Sequence, residues 1–240
     1  MNDKKLKVIP YKDLITVLPP GNKLEALYEK AKDKSRFEET FYPVYDGDID
    51  TDTLNLHNDI YWDTFYKFVH TQENLILAQP IILGNVHCKV LSFFEGLITG
   101  NVQTLNMWTR HSDHKDGLAQ ITGNLNVEEV FLIDGKGLKK NICLAVNGAA
   151  NIHTLISSSG GEVKANKLSI QKEFSFPFIY ATGDKGKYAQ KKFDWSLHTL
   201  EELTTYFNKE LLNMEYVNDS PDMFFKAGTI LSKDYQNYLA

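Results

Sequence analysis

One short phrase, two apolar or hydroxyl residues followed by Gly-Asn and another apolar residue, constrains this chain more than anything else in it. It stands as Ile82-Leu83-Gly84-Asn85-Val86, Ile98-Thr99-Gly100-Asn101-Val102 and Ile121-Thr122-Gly123-Asn124-Leu125, with a looser copy at Ala145-Val146-Asn147-Gly148-Ala149. The steps between copies are 16, 23 and 24 residues. Recurrence in this range marks stacked units, each of which buries its apolar side only against its neighbours. Around the second copy Ile98, Gly100, Val102 and Thr104 alternate with Thr99, Asn101, Gln103 and Leu105. A period of two with β-branched enrichment predicts strand, not helix. Gly then Asn at a constant point predicts a corner, because both residues tolerate left-handed backbone angles.

These features predict a mainly β fold with flanking helices: a short parallel β-helix, or solenoid, of about four to five coils. Uneven steps then place extra length in loops outside the stack. The competing reading is an antiparallel sheet whose hairpins begin with Gly-Asn, a turn that hairpins favour. The Gly-Asn pairs lie within strand-like phrases and not between two symmetric arms, which favours the solenoid.

The organisation follows from that reading. Residues 1–74 form an N-terminal α/β cap containing an acidic segment, 75–170 the β-helix, and 171–240 a C-terminal α/β segment packed on it. Asn22 with Glu25 is a capping box opening a helix through Leu24, Leu27, Tyr28 and Ala31. A second helix, Ile60 to His70, carries apolar residues on more than one stripe. It sits just before the first copy and is the predicted cap over the open strand edges. Thr199 with Glu202 opens a third helix, bearing Leu200, Leu203, Phe207, Leu211 and Leu212.

The phrases Ile-Thr-Gly-Asn-Val-Gln-Thr-Leu and Ile-Thr-Gly-Asn-Leu-Asn-Val resemble the coils of bactofilin-like, polymer-forming bacterial β-helix proteins. The likeness covers about a third of the chain and is one of composition and phase. It implies a parallel β-helix and, as one alternative, a self-assembling structural scaffold. The long flanks on both sides depart from that family.

Of the 240 residues 42% are apolar and 24% charged, ordinary for a globular protein with an ample core. No stretch approaches the ~20 apolar residues of a membrane span. The net charge of −5 argues against a nucleic-acid partner. Cys88 and Cys143 sit in apolar strand contexts and read as reduced, buried thiols. Together these features place the chain in the cytoplasm.

The charge is concentrated. Between residues 41 and 74 seven acidic residues face Lys67 alone. Asp46-Gly47-Asp48-Ile49-Asp50-Thr51-Asp52 superficially resembles a calcium loop, but its sixth and twelfth positions are Thr51 and His57 where an EF-hand needs Gly and Glu. It reads instead as an acidic surface, either merely solvated or made to meet a basic partner. Arg110-His111-Ser112-Asp113-His114 lies in the extra length between the second and third copies. Two histidines three apart with an Asp could bind zinc, but no spacing marks a third ligand. The Gly-x-Ser-x-Gly, His-Glu-x-x-His and P-loop patterns do not occur. Neither a metal site nor a cofactor is assigned.

A motif-free, acidic, aromatic-rich chain of this size is similar in profile to the immunity proteins that neutralise bacterial polymorphic toxins. That likeness implies a non-enzymatic protein-binding module that occludes the active site of a secreted toxin domain. The candidate partner-binding residues are Tyr45, Asp46, Asp48, Asp50, Asp52, Tyr61, Trp62, Trp108, Arg110, His111, Asp113 and His114. Aromatic anchors among charges suit tight interfaces, although plain core is an equal reading of Trp62 and Trp108. The alternatives are the scaffold, which would form homo-oligomers, and a metal-dependent enzyme using residues 110–116.

Overall fold

The computed structural model describes residues 5–69, 76–110, 119–134, 141–158, 161–176, 180–182 and 188–190. Strand β1 (Leu6–Pro10) leads into the short helices α1 (Tyr11–Leu14), α2 (Lys23–Lys30) and α3 (Ser35–Glu38). Asn22 Oδ1 accepts the Glu25 N–H at 3.0 Å and so caps α2. Strands β2 (Thr40–Asp46) and β3 (Ile49–Asn55) follow, then two π-helical turns, His57–Trp62 and Phe65–Val69. Next come β4 (Ile76–Leu77), β5 (Ile81–Leu83), β6 (Val86–Ser92), β7 (Gly96–Ile98), β8 (Val102–Arg110) and β9 (Ala119–Ile121). The long strands β10 (Leu125–Asp134), β11 (Asn141–Ser158) and β12 (Gly161–Phe176) complete the main sheet. A separate antiparallel pair joins β13 (Tyr180–Thr182) and β14 (Tyr188–Gln190).

The solenoid expected from the repeat is corrected by the pairing. Twelve strands form one sheet, with a main path β1-β2-β5-β7-β9-β11-β10-β8-β6-β3 that does not return to its start. β12 joins β11 and β4 joins β2. The sheet is mixed, because β1 runs antiparallel to β2. The remaining pairings within it are parallel, so the hairpin alternative fails as well. The phrase specifies how one copy sits on the next, and nothing in it specifies that each turn should close. The predicted N-terminal capping α-helix is instead the pair of π-helical turns, with Trp62, Tyr66 and Phe68 exposed. The predicted helix at 199–212 lies outside the described residues.

β11 joins the two arms of the sheet. Its residues 144–146 pair with β9, while 150–158 pair with β10. The arms therefore meet at the Gly-Asn phrases, and their inner faces share a core. Tyr45, Ile82, Ile98, Ile121 and Val146 come from one arm, Val86, Val102, Leu125, Val127 and Ile152 from the other. The first arm is apolar on its outer side too. There Val44, Ile81 and Leu97 pack with Tyr11, Leu14, Leu18 and Leu24 beneath the N-terminal helices.

A two-part ladder holds the corner. Gly100 N–H donates to Gly84 O and Gly148 N–H to Gly123 O, both at 3.0 Å. Beside it the Asn101 N–H donates to Asn85 Oδ1, the Asn124 N–H to Asn101 Oδ1 and the Ala149 N–H to Asn124 Oδ1, at 2.8–2.9 Å. The glycines are required for a reason different from the expected one. Positive φ is confined, among the described residues, to Gly21, Gly47 and Gly96. A Cβ on Gly100 would instead lie 2.4 Å from Gly84 O, and one on Gly123 2.5 Å from Gly100 O. Backbone stacks directly on backbone here, and a methyl group has no room.

Replacement of Gly100 by Ala is therefore expected to destabilise the protein by about 3 kcal/mol, the upper range for overpacking against rigid neighbours. Gly21→Ala, at φ +74 with open space around it, is expected to cost only about 1 kcal/mol of left-handed strain. Urea denaturation of the two variants beside the wild type measures the difference. Equal costs would show that the corner can relax.

Candidate partner-binding surface

β3 is the terminal strand of the main path; along it Asp50, Asp52 and Thr53 are exposed while Ile49 and Leu54 enter the core. The parallel register sets Asp50 opposite His87 of β6. Asp50 Oδ1 lies 3.2 Å from His87 Nδ1, and Asp52 Oδ1 lies 2.7 Å from Lys89 Nζ. Asp46 pairs with Lys7 at 2.6 Å. In-register strands bring like positions side by side, so an acidic strand beside a cationic one avoids direct repulsion. All three pairs are exposed and each adds little stability. They do soften the field of what the sequence presents as a bare acidic run.

Asp48 does something else. Its Oδ1 accepts the Asn85 N–H at 2.7 Å and Asn85 Nδ2 at 3.0 Å. It is thus the first rung of the amide ladder, with a carboxylate in the place where later rungs carry an amide. Tyr45 is buried in the core and offers nothing to a partner; Lys5 Nζ stands 5.8 Å from its ring centroid.

Beyond β3 the chain turns directly into the π-helical segment. Asn55 Oδ1 accepts the N–H groups of His57 and Asn58, each at 3.1 Å, and Asp59 Oδ2 returns a bond to the Asn55 N–H at 2.7 Å. This reciprocal cap fixes where the helix starts. Leu56 and Ile60 face the core, while the opposite side is a cluster of rings. Tyr61 stacks on His57 with centroids 5.1 Å apart. Trp62 meets Tyr61, Phe65 and Tyr66 at 5.3–5.8 Å. Trp62 is 38% exposed, Phe68 41% and Tyr66 63%, so the segment is not sandwiched as its composition suggests. Exposed apolar rings grouped this way mark an interaction surface.

Trp108 is half-buried on β8, edge-to-face with Phe94 at 4.3 Å, so it serves packing. Arg110 ends β8. His111, Asp113 and His114 lie outside the described residues. Of the candidate residues, then, the structure keeps Asp50 and Asp52 on β3 beside β6, holds Tyr61 and Trp62 in the ring cluster that follows β3, leaves Asp46 and Asp48 at either side of Gly47, and withdraws Tyr45. Tyr66 and Phe68 are additions. Their signal in the sequence is apolar positions on more than one stripe of a helix, which an exposed ring cluster produces as well as burial does.

Burial pushes the Cys88 thiol up to about 11, Asp50 adding and the Thr104 hydrogen bond opposing, so no thiolate is available near neutrality. A recess of about 280 Å³ lies on β10–β12, with Val127 and Ile152 in its lining beside Glu128, Asn151 and His153. Burial lowers the His153 imidazole below its usual range, with Lys172 adding and a hydrogen bond to the Glu129 backbone opposing. A histidine kept neutral by the fold takes up its proton more readily when unfolded. Its contribution is therefore complete above pH ~6.5 and declines as pH falls from there through the folded-state value. Among the described residues no cluster of three or more metal-ligating side chains occurs, and no helix is long and apolar enough to cross a membrane.

Chemical denaturation at pH 7.5 and 5.5 is expected to show a loss of stability in the wild type that is smaller in His153→Gln. An equal loss in both would remove His153 as the cause. Asp48→Ala should cost about 1 kcal/mol, the loss of net hydrogen bonding, while Asp48→Asn, which keeps an acceptor, should cost less. Comparison with known proteins gives no relative: no family model, no curated protein and no solved structure matches the chain.

Proposed function

We propose that this chain is a non-enzymatic protein-binding module, and specifically a cytoplasmic immunity protein that neutralises a bacterial toxin by covering its active site. The observation that supports this most is the exposed, stacked ring pair Trp62 and Tyr66 on the π-helical segment that follows β3. Rings held by a capped helix lose little conformational freedom on binding, and Trp and Tyr are the residue types that dominate tight interfaces. Asp50 and Asp52, on the strand leading into the cluster, supply a rim that attracts a basic surface. Their partners His87 and Lys89 belong to this chain, so a toxin side chain approaching them competes for carboxylates already in use. The aromatic cluster thus carries affinity, and the acidic rim mainly sets orientation and association rate.

Co-expression with candidate toxin domains drawn from its gene neighbourhood tests the reading. Rescue of growth is expected, with tight binding of the purified pair. Trp62→Ala and Tyr66→Ala should each weaken binding by about 2 kcal/mol while leaving thermal stability nearly unchanged. A neighbouring toxin that kills at full strength despite co-expression would end the proposal.

A further inference from the structure

The recess across β10, β11 and β12 is made by a bulge. β10 places two residues, Glu128 and Glu129, where β11 has His153 and β8 has Leu105, so its ladder lapses on both sides between Val127 and Val130. A bulge bends its strand and re-aims the side chains around it. This one is held from within the sheet. Asn106, 1% exposed, accepts the Val130 N–H through Oδ1 at 3.1 Å and donates from Nδ2 to Glu129 Oε2 at 3.4 Å. Gln103 Nε2 donates to Glu128 Oε1 at 2.7 Å. His153 is fixed as well, its Nδ1 2.9 Å from Thr154 Oγ1. Preformed walls spare a ligand the cost of ordering them.

Two rows of side chains border the recess. In-register pairing lines up Asn126, Asn151 and Ser169, about 4.8 Å apart from strand to strand. Glu128, His153 and Gln171 stand two positions further along the same strands. Between the rows lie Val127 and Ile152, whose side chains belong to the core and whose backbones pair with each other, so paired backbone closes the base. The polar capacity therefore comes from the rims, as the amides of Asn126, Asn151 and Gln171 and the Ser169 hydroxyl. Each amide both donates and accepts, as a hydroxyl does. Among the described residues no Lys or Arg lines the recess to hold an anion, and one carboxylate already bonded to Gln103 is too small a donor set for a hard cation. An uncharged ligand with several neighbouring hydroxyls meets this set. The volume of about 280 Å³ lies at the small end of ligand sites, which suits a single sugar ring.

We propose that the recess on β10–β12 binds one neutral hexose unit, whose hydroxyls are held by the amides of Asn126, Asn151 and Gln171 and by the Ser169 hydroxyl. Glu128 on the rim turns the site against acidic sugars, since like charges brought together are costly. The inference is independent of the toxin-binding reading, because it uses neither the ring pair nor β3.

Titration of the isotope-labelled full chain with glucose, galactose and mannose, followed by NMR, tests it. At least one of these sugars is expected to shift the side-chain amide signals of Asn126, Asn151 and Gln171, with a Kd of about 1 mM, ordinary for so small a ligand. Asn151→Ala and Gln171→Ala, both at exposed positions, should each weaken that sugar by about fivefold, the loss of one hydrogen bond, with thermal unfolding unchanged. The corresponding uronic acid should bind more weakly than the neutral sugar. No shift with any of the three sugars overturns the proposal. So do equal shifts with glycerol, tighter binding of the uronic acid, or binding that neither substitution weakens.

Discussion

The fold depends on the close contact of backbone with backbone at the Gly-Asn corner. Gly84, Gly100, Gly123 and Gly148 succeed one another at distances that leave no space for a Cβ. Beside them each asparagine oxygen satisfies the next N–H in the column. A corner is where a bent sheet loses regular backbone pairing, and N–H groups there need other acceptors. The side-chain ladder makes good that loss. It also fixes the phase of every strand that leaves the corner, because a slip by one residue would send the apolar set to the wrong face.

The rest of the molecule responds to that register. Equivalent positions of successive phrases lie side by side, so the character of a whole column is set at once. Tyr45, Ile82, Ile98, Ile121 and Val146 make an unbroken apolar column. Asp50, His87 and Gln103 make an exposed polar one. The stacking ends in a helical turn and an antiparallel strand on one side and in β12 on the other.

Much of this was legible in the residues, though sometimes for the wrong reason. The recurring Gly-Asn located the corner, yet the glycines serve close approach and not left-handed backbone. Asp46, Asp48, Asp50 and Asp52 were recognised as an acidic run. Their cationic neighbours could not be seen, because Lys7, His87 and Lys89 come from distant parts of the sequence and meet them only through β1–β2 and β3–β6 pairing. Tyr45 and Trp62 look alike as aromatic residues next to charges. One is core and the other surface, and the difference arises from which side of β2 or of a helical turn the backbone presents.

By itself the sequence determined the local rules: extended chain with a period of two, a backbone corner at each Gly-Asn, a capped helix after Asn22, and an acidic strand leading into a cluster of rings. These are short-range consequences of side-chain size, branching and hydrogen-bonding capacity. Only the tertiary structure decided that the sheet stays open and mixed, that Asp48 begins the ladder, and that Trp62 and Tyr66 face outward. Each of those depends on which distant strand lies alongside, and strand partnership over tens of residues is set by the summed burial of the core and not by any one phrase.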